Sequence, residues 1–334
     1  MALAMTLGSC AQAAEPDDWT RYKARFIAAD GRLFDESSEG VSHSEGQGYA
    51  LVLAALHDDR ETFGRVLVWT QQNLDIRGDA LAAWRWRPAD NPHVADRNNA
   101  TDGDLLIAWG LAEAGRRWGE TTYTASARRI AFALQAKTFF PTAYGVALRP
   151  GAVGFGEEDS EDGPLVNLSY WVFPALDALA QATPEINWRG VERTGLALYD
   201  AAKFGPLGLP SDWISLKSGV APAKNRPPVF GFELVRAPLY LAWGPPEAKA
   251  RLAALTQSWL GGTAGVPAVI DVERGVMTQS FVEPGYRAVA ALARCAVSGE
   301  KFPEELRSVG TENYYSATLH MLSLTLLEVR FPGC

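Results

Sequence analysis

Asn98-Asn99-Ala100-Thr101-Asp102-Gly103-Asp104-Leu105-Leu106-Ile107-Ala108-Trp109 opens on polar residues and runs straight into an apolar segment. Thr101 or Asp102 would serve as an N-cap, with Asp104 in the first turn, where the positive end of a helix favours a carboxylate. Capping accounts for one acidic residue well and for two less well. A calcium loop would need further oxygen ligands where the chain has Leu105, Ile107 and Trp109, so metal binding does not explain the surplus.

The same helical pattern extends in both directions. Apolar residues recur at three-to-four spacing in about eleven segments. They start near Trp19, Ser44, Glu61, Asp102, Tyr123, Leu168, Trp188, Phe232, Glu247, Val282 and Tyr314. Short loops rich in Pro, Gly and Asp separate them. Tyr144 to Glu157 alternates like a strand pair around Pro150-Gly151 and predicts a small hairpin. No Gly/Ser linker or charge block divides the chain, so residues 15–334 read as one all-α domain. Helices in antiparallel pairs build either a solenoid or a closed double-layered barrel. No repeat of roughly 34 or 40 residues is visible, which favours the closed barrel.

Composition narrows the partners. A net charge of −8 argues against nucleic acid, because phosphate binding needs a basic face. The same acidity suits an anionic membrane or an anionic glycan poorly. Eleven Trp exceed what a core of this size needs, leaving some for a stacking surface. Nothing after the N-terminus reaches the roughly 18 to 20 uninterrupted apolar residues of a membrane span.

Residues 1–14 read as the remnant of a signal peptide: Met1 to Thr6 is small and apolar, and Ala11-Gln12-Ala13 has the form of a cleavage site. Leu7-Gly8-Ser9-Cys10 loosely resembles a lipoprotein box, which would make Cys10 a lipid attachment point. The expected location is therefore periplasmic or extracellular. Cys295 and Cys334 then remain; an oxidising compartment would let them pair, but a terminal cysteine tends to fray, and the unpaired reading is favoured. They lack the neighbouring His ligands of a zinc site.

Two further strings carry chemistry. Ser42-His43-Ser44-Glu45-Gly46-Gln47-Gly48-Tyr49 precedes an apolar run from Ala50 to Leu56. Glu45 could simply complement the helix dipole. Two glycines beside it are costly in a helix and make sense where a ligand approaches the backbone. Burial there would suit a general acid, which must hold its proton near neutral pH. Gly231-Phe232-Glu233-Leu234-Val235-Arg236 places Glu233 and Arg236 three apart, on one face of a helix, which alone is compatible with a plain ion pair.

Taken in order and spacing, these strings resemble glycoside hydrolase family 8, over the stretch from about Trp19 to the C-terminus. Trp84-Arg85-Trp86, Asn167-Leu168-Ser169-Tyr170, Pro210-Ser211-Asp212-Trp213 and the Tyr314-Tyr315 helix take part in the match. The resemblance is greatest to the periplasmic endoglucanases encoded with bacterial cellulose synthase. It implies an (α/α)6 barrel of six inner and six outer helices that hydrolyses a β-1,4-linked polysaccharide, cellulose first, with inversion. It further implies Glu45 as general acid, Asp102 as the carboxylate holding the distorted sugar, and Glu233 in the position of the base. Tyr49, Trp84, Trp86, Asp104, Trp109, Tyr170, Trp213 and Arg236 become candidates for substrate contact. No cofactor or metal is implied, and the expected partners are the polysaccharide and, by association, a cellulose synthase complex, with the chain a monomer.

The sequence departs from the family at one point. The main cellulase branch has Asp in Asp-Ala-x-Arg, whereas this chain has Glu233-Leu234-Val235-Arg236. Basicity survives the exchange, but a misplacement of about an ångström can cost roughly a hundredfold in rate. Either the backbone compensates, or the enzyme is slow, or another acid such as Asp212 or Glu158 takes over. Other outcomes are a glycan binder without turnover, a chitosanase, xylanase or mixed-linkage glucanase of the same family, and a helical scaffold.

Overall fold

The computed structural model describes residues 16–334. The expected export segment, with Cys10, lies outside the described residues. Eleven α-helices carry the described chain: α1 Asp18–Phe26, α2 Ser44–Leu56, α3 Arg60–Asn73, α4 Thr101–Trp118, α5 Thr121–Thr138, α6 Phe173–Ala182, α7 Trp188–Ala201, α8 Ala237–Trp243, α9 Ala248–Gly261, α10 Pro284–Ser298 and α11 Tyr314–Arg330. They close into the expected (α/α)6 barrel. α2 packs on α4, α4 on α6, α6 on α8, α8 on α10, α10 on α11, and α11 back on α2. Helices α3, α5, α7, α9 and α1 back this ring from outside.

The count corrects one expectation. The sixth outer position holds no α-helix among the described residues; residues 299–313 fill it, with one 3-10 turn, Glu304–Leu306. Pro303 and Gly310 interrupt helical hydrogen bonding there.

The glycines expected to admit a ligand instead admit a neighbouring helix. A Cβ on Gly48 would lie 2.5 Å from the Leu106 Cβ, one on Gly103 2.1 Å from the Ser44 Oγ, and one on Gly110 2.7 Å from the Leu51 Cβ. α2 and α4 therefore touch backbone to backbone along their length. Gly46 is filled in the same way by Leu33 and the Tyr314 hydroxyl.

Two helices start later than the apolar pattern predicts. After Leu168 and again after Phe232 the chain makes a short 3-10 turn, Leu168–Tyr170 and Leu234–Arg236, before α6 and α8 begin. Pro174 and Pro238 stand in the first turns of those helices, where their missing N–H costs nothing.

The strands are short and lie on loops. β1 Ser42–His43 pairs with β2 Arg85–Trp86, and β3 Phe139–Thr142 with β4 Gly145–Leu148. β5 Leu165–Val166, β6 Ile214–Ser215 and β7 Ala221–Pro222 form one three-stranded sheet. β8 Val229–Phe230, β9 Ala268–Asp271 and β10 Val276–Ser280 form the other. The predicted hairpin over Tyr144–Glu157 is thus displaced: its turn lies at Ala143-Tyr144, followed by Gly145 at a φ of +118°. Gly151 is instead pressed against the Asn99 carbonyl, 2.7 Å from where its Cβ would stand.

Cys295 and Cys334 form a disulfide, against the favoured unpaired reading. The chain end is not frayed: Phe302 donates its N–H to the Cys334 carbonyl at 3.1 Å, and the Arg307 guanidinium donates to the same oxygen at 3.0 Å. The bond closes a loop with a sequence separation of 39, for which chain entropy gives a stabilisation of roughly 4 kcal/mol. Cys334→Ser is expected to lower the free energy of unfolding by about 2–4 kcal/mol, measured by urea denaturation. A wild-type midpoint that does not move on adding reductant would show that the cross-link contributes nothing.

Candidate active site

The close α2–α4 approach brings the first turns of both helices to one end of the barrel, and Glu45 and Asp102 with them. Neither helix starts on a side-chain cap. The N-cap of α2 is His43 and that of α4 is Ala100. Thr101, expected as the cap, donates its hydroxyl to the Arg149 carbonyl at 2.6 Å. Asp102 is free to do something else, and it faces Arg236.

Arg236 is buried, with 2% of its surface exposed, and organises the site. Its Nη1 donates to Glu45 Oε1. Its Nη2 donates to Asp102 Oδ2 at 2.9 Å, to Ser169 Oγ at 3.0 Å and to Glu233 Oε2 at 3.1 Å. The 3-10 turn matters here, because residues i and i+3 eclipse in that geometry and set Glu233 directly against Arg236. Asn167 Nδ2 adds a donor to Glu233 Oε2 at 3.2 Å. Asn167 is itself fixed by accepting from Ser169 N at 3.0 Å and Ser169 Oγ at 2.8 Å.

One guanidinium cannot neutralise three carboxylates in a dry site. Burial pushes Asp102 up to about 8; Arg236 opposes the shift, and the charges of Glu45 and Glu233 add to it. Burial likewise raises Glu233, again against Arg236 and with Glu45 adding to the rise. Such clusters of perturbed carboxyls in a cleft are a mark of functional sites.

The cleft above these groups holds about 340 Å³. His43, Trp84, Tyr170, Phe232, Tyr314 and Tyr315 wall it. Trp84 lies near-parallel to His43 with centroids 5.8 Å apart and donates its indole N–H to Asp96 at 2.8 Å. Tyr170 is followed outward by Trp213 (centroids 6.4 Å), which stacks on Phe155 at 5.8 Å.

Five expected substrate contacts do not line the cleft: Trp213 stands behind Tyr170, and the other four lie elsewhere. Asp104 faces away from the cleft, its carboxylate accepting from Ala82 N at 2.8 Å and from Asn99 Nδ2 at 2.9 Å, and so ties down the strand leading to Trp84. Trp109, two turns along α4, packs edge-on against Trp243 (5.1 Å) towards the other end of the barrel. The Tyr49 phenol is buried below the site, 2.7 Å from that of Tyr240. Trp86 packs on Trp69, His93 and Arg32 rather than lining the cleft.

The two alternative bases are also accounted for. Asp212 accepts the backbone N–H groups of Gly231 (2.8 Å), Leu234 (3.1 Å) and Glu233 (3.4 Å), clamping the loop that carries Glu233. Glu158 sits on a loop with its side chain 69% exposed, 3.9 Å from Arg149. Sequence reading missed Ser169 and Asn167 as hydrogen-bonding partners, and Phe232, which is 46% exposed beside Glu233. Phe232 was read as the first residue of an apolar segment, and the late start of α8 leaves it outside the helix instead. Among the described residues no group of three or more His, Cys, Asp or Glu is arranged to hold a metal, and no helix is long and apolar enough to cross a membrane.

Comparison with known proteins agrees with this geometry. The profile of "Glycosyl hydrolases family 8" matches residues 1–328. The chain belongs to glycoside hydrolase family 8. It is a glycosidase, of the endoglucanase kind its relatives are named for. A probable endoglucanase of Novacetimonas hansenii is 36% identical over 91% of this chain and 88% of its own length. An endoglucanase of Cellulomonas uda is 38% identical over 72% of this chain and 67% of its own. Among solved structures, the family 8 endoglucanase Cel10 of Klebsiella pneumoniae superposes with a TM-score of 0.84. It is 34% identical and covers 93% of this chain and 98% of its own.

The carboxyls above set a pH dependence. Asp102 at about 8, and Asp104 and Asp212 at about 7, all by burial, lie above the ordinary 3.8. A carboxyl raised on folding contributes stability while protonated and gives it up as pH climbs through its folded value. Asp59, held down at about 2, acts only in the acid range. His43 and His57, held below the ordinary 6.5 by burial, gain stability as pH rises towards that value and oppose the carboxyls there, which leaves the stretch above it to the raised groups. The Tm is therefore expected to fall between about pH 6.5 and pH 8, where the carboxyls act without that opposition. Asp104→Asn is expected to flatten that fall without changing KM, since its carboxylate does not reach the cleft. A Tm that rises over the interval in calorimetry would overturn the assignment.

Proposed function

We propose that this glycosidase cleaves β-1,4-glucan internally with inversion, Glu45 acting as general acid and Glu233 as general base. The observation carrying the proposal is that both carboxylates meet the same guanidinium from opposite sides of the ring. Glu45 stands on α2 and Glu233 on the turn before α8, three positions away in the six-helix ring.

In this reading a glucan chain lies along the cleft past the aromatic walls of Trp84 and Tyr170, with Trp213 backing Tyr170. The leaving oxygen draws Glu45 off Arg236 and takes its proton as the glycosidic C–O bond breaks. A water on the opposite face gives a proton to Glu233 while its oxygen bonds to the anomeric carbon. Asp102 and Arg236 hold the distorted ring between them. Inversion needs room for that water, a carboxyl separation of roughly 6.5–9.5 Å. Glu233 serves where the family's main branch has Asp because Asp212 and Asn167 fix its loop and its head group. The Cys295–Cys334 bond supports export to an oxidising compartment, periplasmic or extracellular. A monomer acting beside a cellulose synthase complex follows from the family resemblance.

Reducing-sugar release from carboxymethyl cellulose tests the roles. Glu45→Gln and Glu233→Gln should each lower kcat by about 10²–10⁴-fold or more, with folding intact by circular dichroism. Glu233→Asp should keep or raise the wild-type rate. Proton NMR of a fresh digest should show the α-anomer first. Equal rates for Glu233, Asp and Gln would remove residue 233 from the mechanism, and a β-anomer would exclude inversion.

A further inference from the structure

α8 runs from Arg236 at the catalytic end to Trp243 and Gly244, where a second concave region opens. It consists of two adjoining depressions of about 850 Å³ and 400 Å³ that share Asp177, Trp243 and Arg330. Neither has a wall residue in common with the catalytic cleft. Trp243 borders both, and Trp109 meets it edge-on at 5.1 Å.

Glu192 on α7 faces the larger depression and is 5% exposed. Its Oε2 accepts from Arg189 at 3.0 Å, but its Oε1 is buried and has no hydrogen-bond partner among the described residues. A buried carboxylate oxygen without a donor costs free energy that the fold has no packing reason to accept. A ligand hydroxyl would supply that donor. The charges around it balance: Asp177, Glu192 and Glu247 stand against Arg189, Arg193 and Arg330. A net-neutral wall favours a neutral, hydroxyl-rich ligand over an ion, and Trp243, Pro245, Pro246 and Phe331 add apolar surface for the C–H face of a sugar ring.

We propose that this far end of the barrel is a second saccharide site, binding a neutral glucan segment through hydroxyl donation to Glu192 Oε1. It rests on the proposed function only for the choice of glucan as probe. Its use would be to keep the enzyme on a polymer while the cleft releases product.

The test is an indole N–H titration of ¹⁵N-tryptophan-labelled Glu45→Gln enzyme with cellopentaose. The Trp84 and Trp243 signals are assigned by their loss in Trp→Phe variants. Trp84 reports the cleft and Trp243 the far end. Both should move, with separate midpoints, and Glu192→Gln should raise the Trp243 midpoint tenfold or more while leaving unchanged that of Trp84 and the rate at which otherwise wild-type enzyme hydrolyses cellopentaose. A Trp243 signal that stays put while Trp84 moves overturns the second site alone. Movement of Trp243 without Trp84 keeps the second site and overturns glucan as substrate of the cleft. An unchanged Trp243 midpoint in Glu192→Gln overturns the role given to Glu192.

Discussion

A single buried guanidinium holds the working end of this protein together. Arg236 reaches Glu45, Asp102 and Glu233, which arrive on three different segments of the barrel. Removing that guanidinium is the costly change, typically about 3–5 kcal/mol for a buried charge cluster, because the carboxylates around it lose their compensation. The ring geometry follows from the same requirement. α2 and α4 must touch along their backbones for their first turns to converge, and Gly48, Gly103 and Gly110 make that contact possible. α8 must begin late, behind a 3-10 turn, for Glu233 to fold back onto its own Arg. Electrostatics sets the positions at the end of the barrel, and packing makes them reachable.

The barrel was largely legible in the sequence because helical periodicity is a local signal. All eleven apolar segments became helices, nine starting close to where the pattern began. The two late starts lie where proline overrides the pattern, at Pro174 and Pro238. The family motif located Glu45, Asp102, Tyr170 and Arg236 in one cleft. Periodicity says which face of a helix is buried but not which end of the barrel a buried residue occupies. Trp109 and Asp104 illustrate this: the first shares a helix with Asp102 but lies nearly two turns further along, and the second shares a turn with it but points the other way. The glycines beside Glu45 were misread for a related reason. A missing side chain looks the same in sequence whether a ligand or a helix takes its place. The disulfide was hidden because nothing local shows that Phe302 and Arg307 pin the chain end beside α10.

The exchange of Asp for Glu at position 233 is contained by its surroundings. The extra methylene would matter most on a mobile loop, where it would spread the head group over many positions. Here Asp212 takes three backbone N–H groups of residues 231–234, and Asn167 and Arg236 both donate to Glu233 Oε2. Glu233 Oε2 is thereby fixed from two sides, which leaves Oε1 as the oxygen that would accept a proton from water in the proposed mechanism. Asp212 spends three hydrogen bonds on the loop and does not line the cleft.

The cleft carries a cost in stability that the rest of the molecule offsets. Three carboxyls around one cation, with Asp102 pushed up to about 8, would relax by protonation or by separation if the scaffold allowed it. Separation is prevented because each carboxylate is anchored in a buried helix turn or clamped loop. The remaining freedom is in protons, which is the freedom the proposed acid–base hydrolysis would use. Strain of this kind persists only where the surrounding packing over-determines the geometry. The continuous apolar shell from Tyr22 on α1 to Leu326 on α11, closed by the Cys295–Cys334 bond, provides that constraint. Rigidity in the barrel and readiness to exchange protons at its mouth are therefore two consequences of one arrangement.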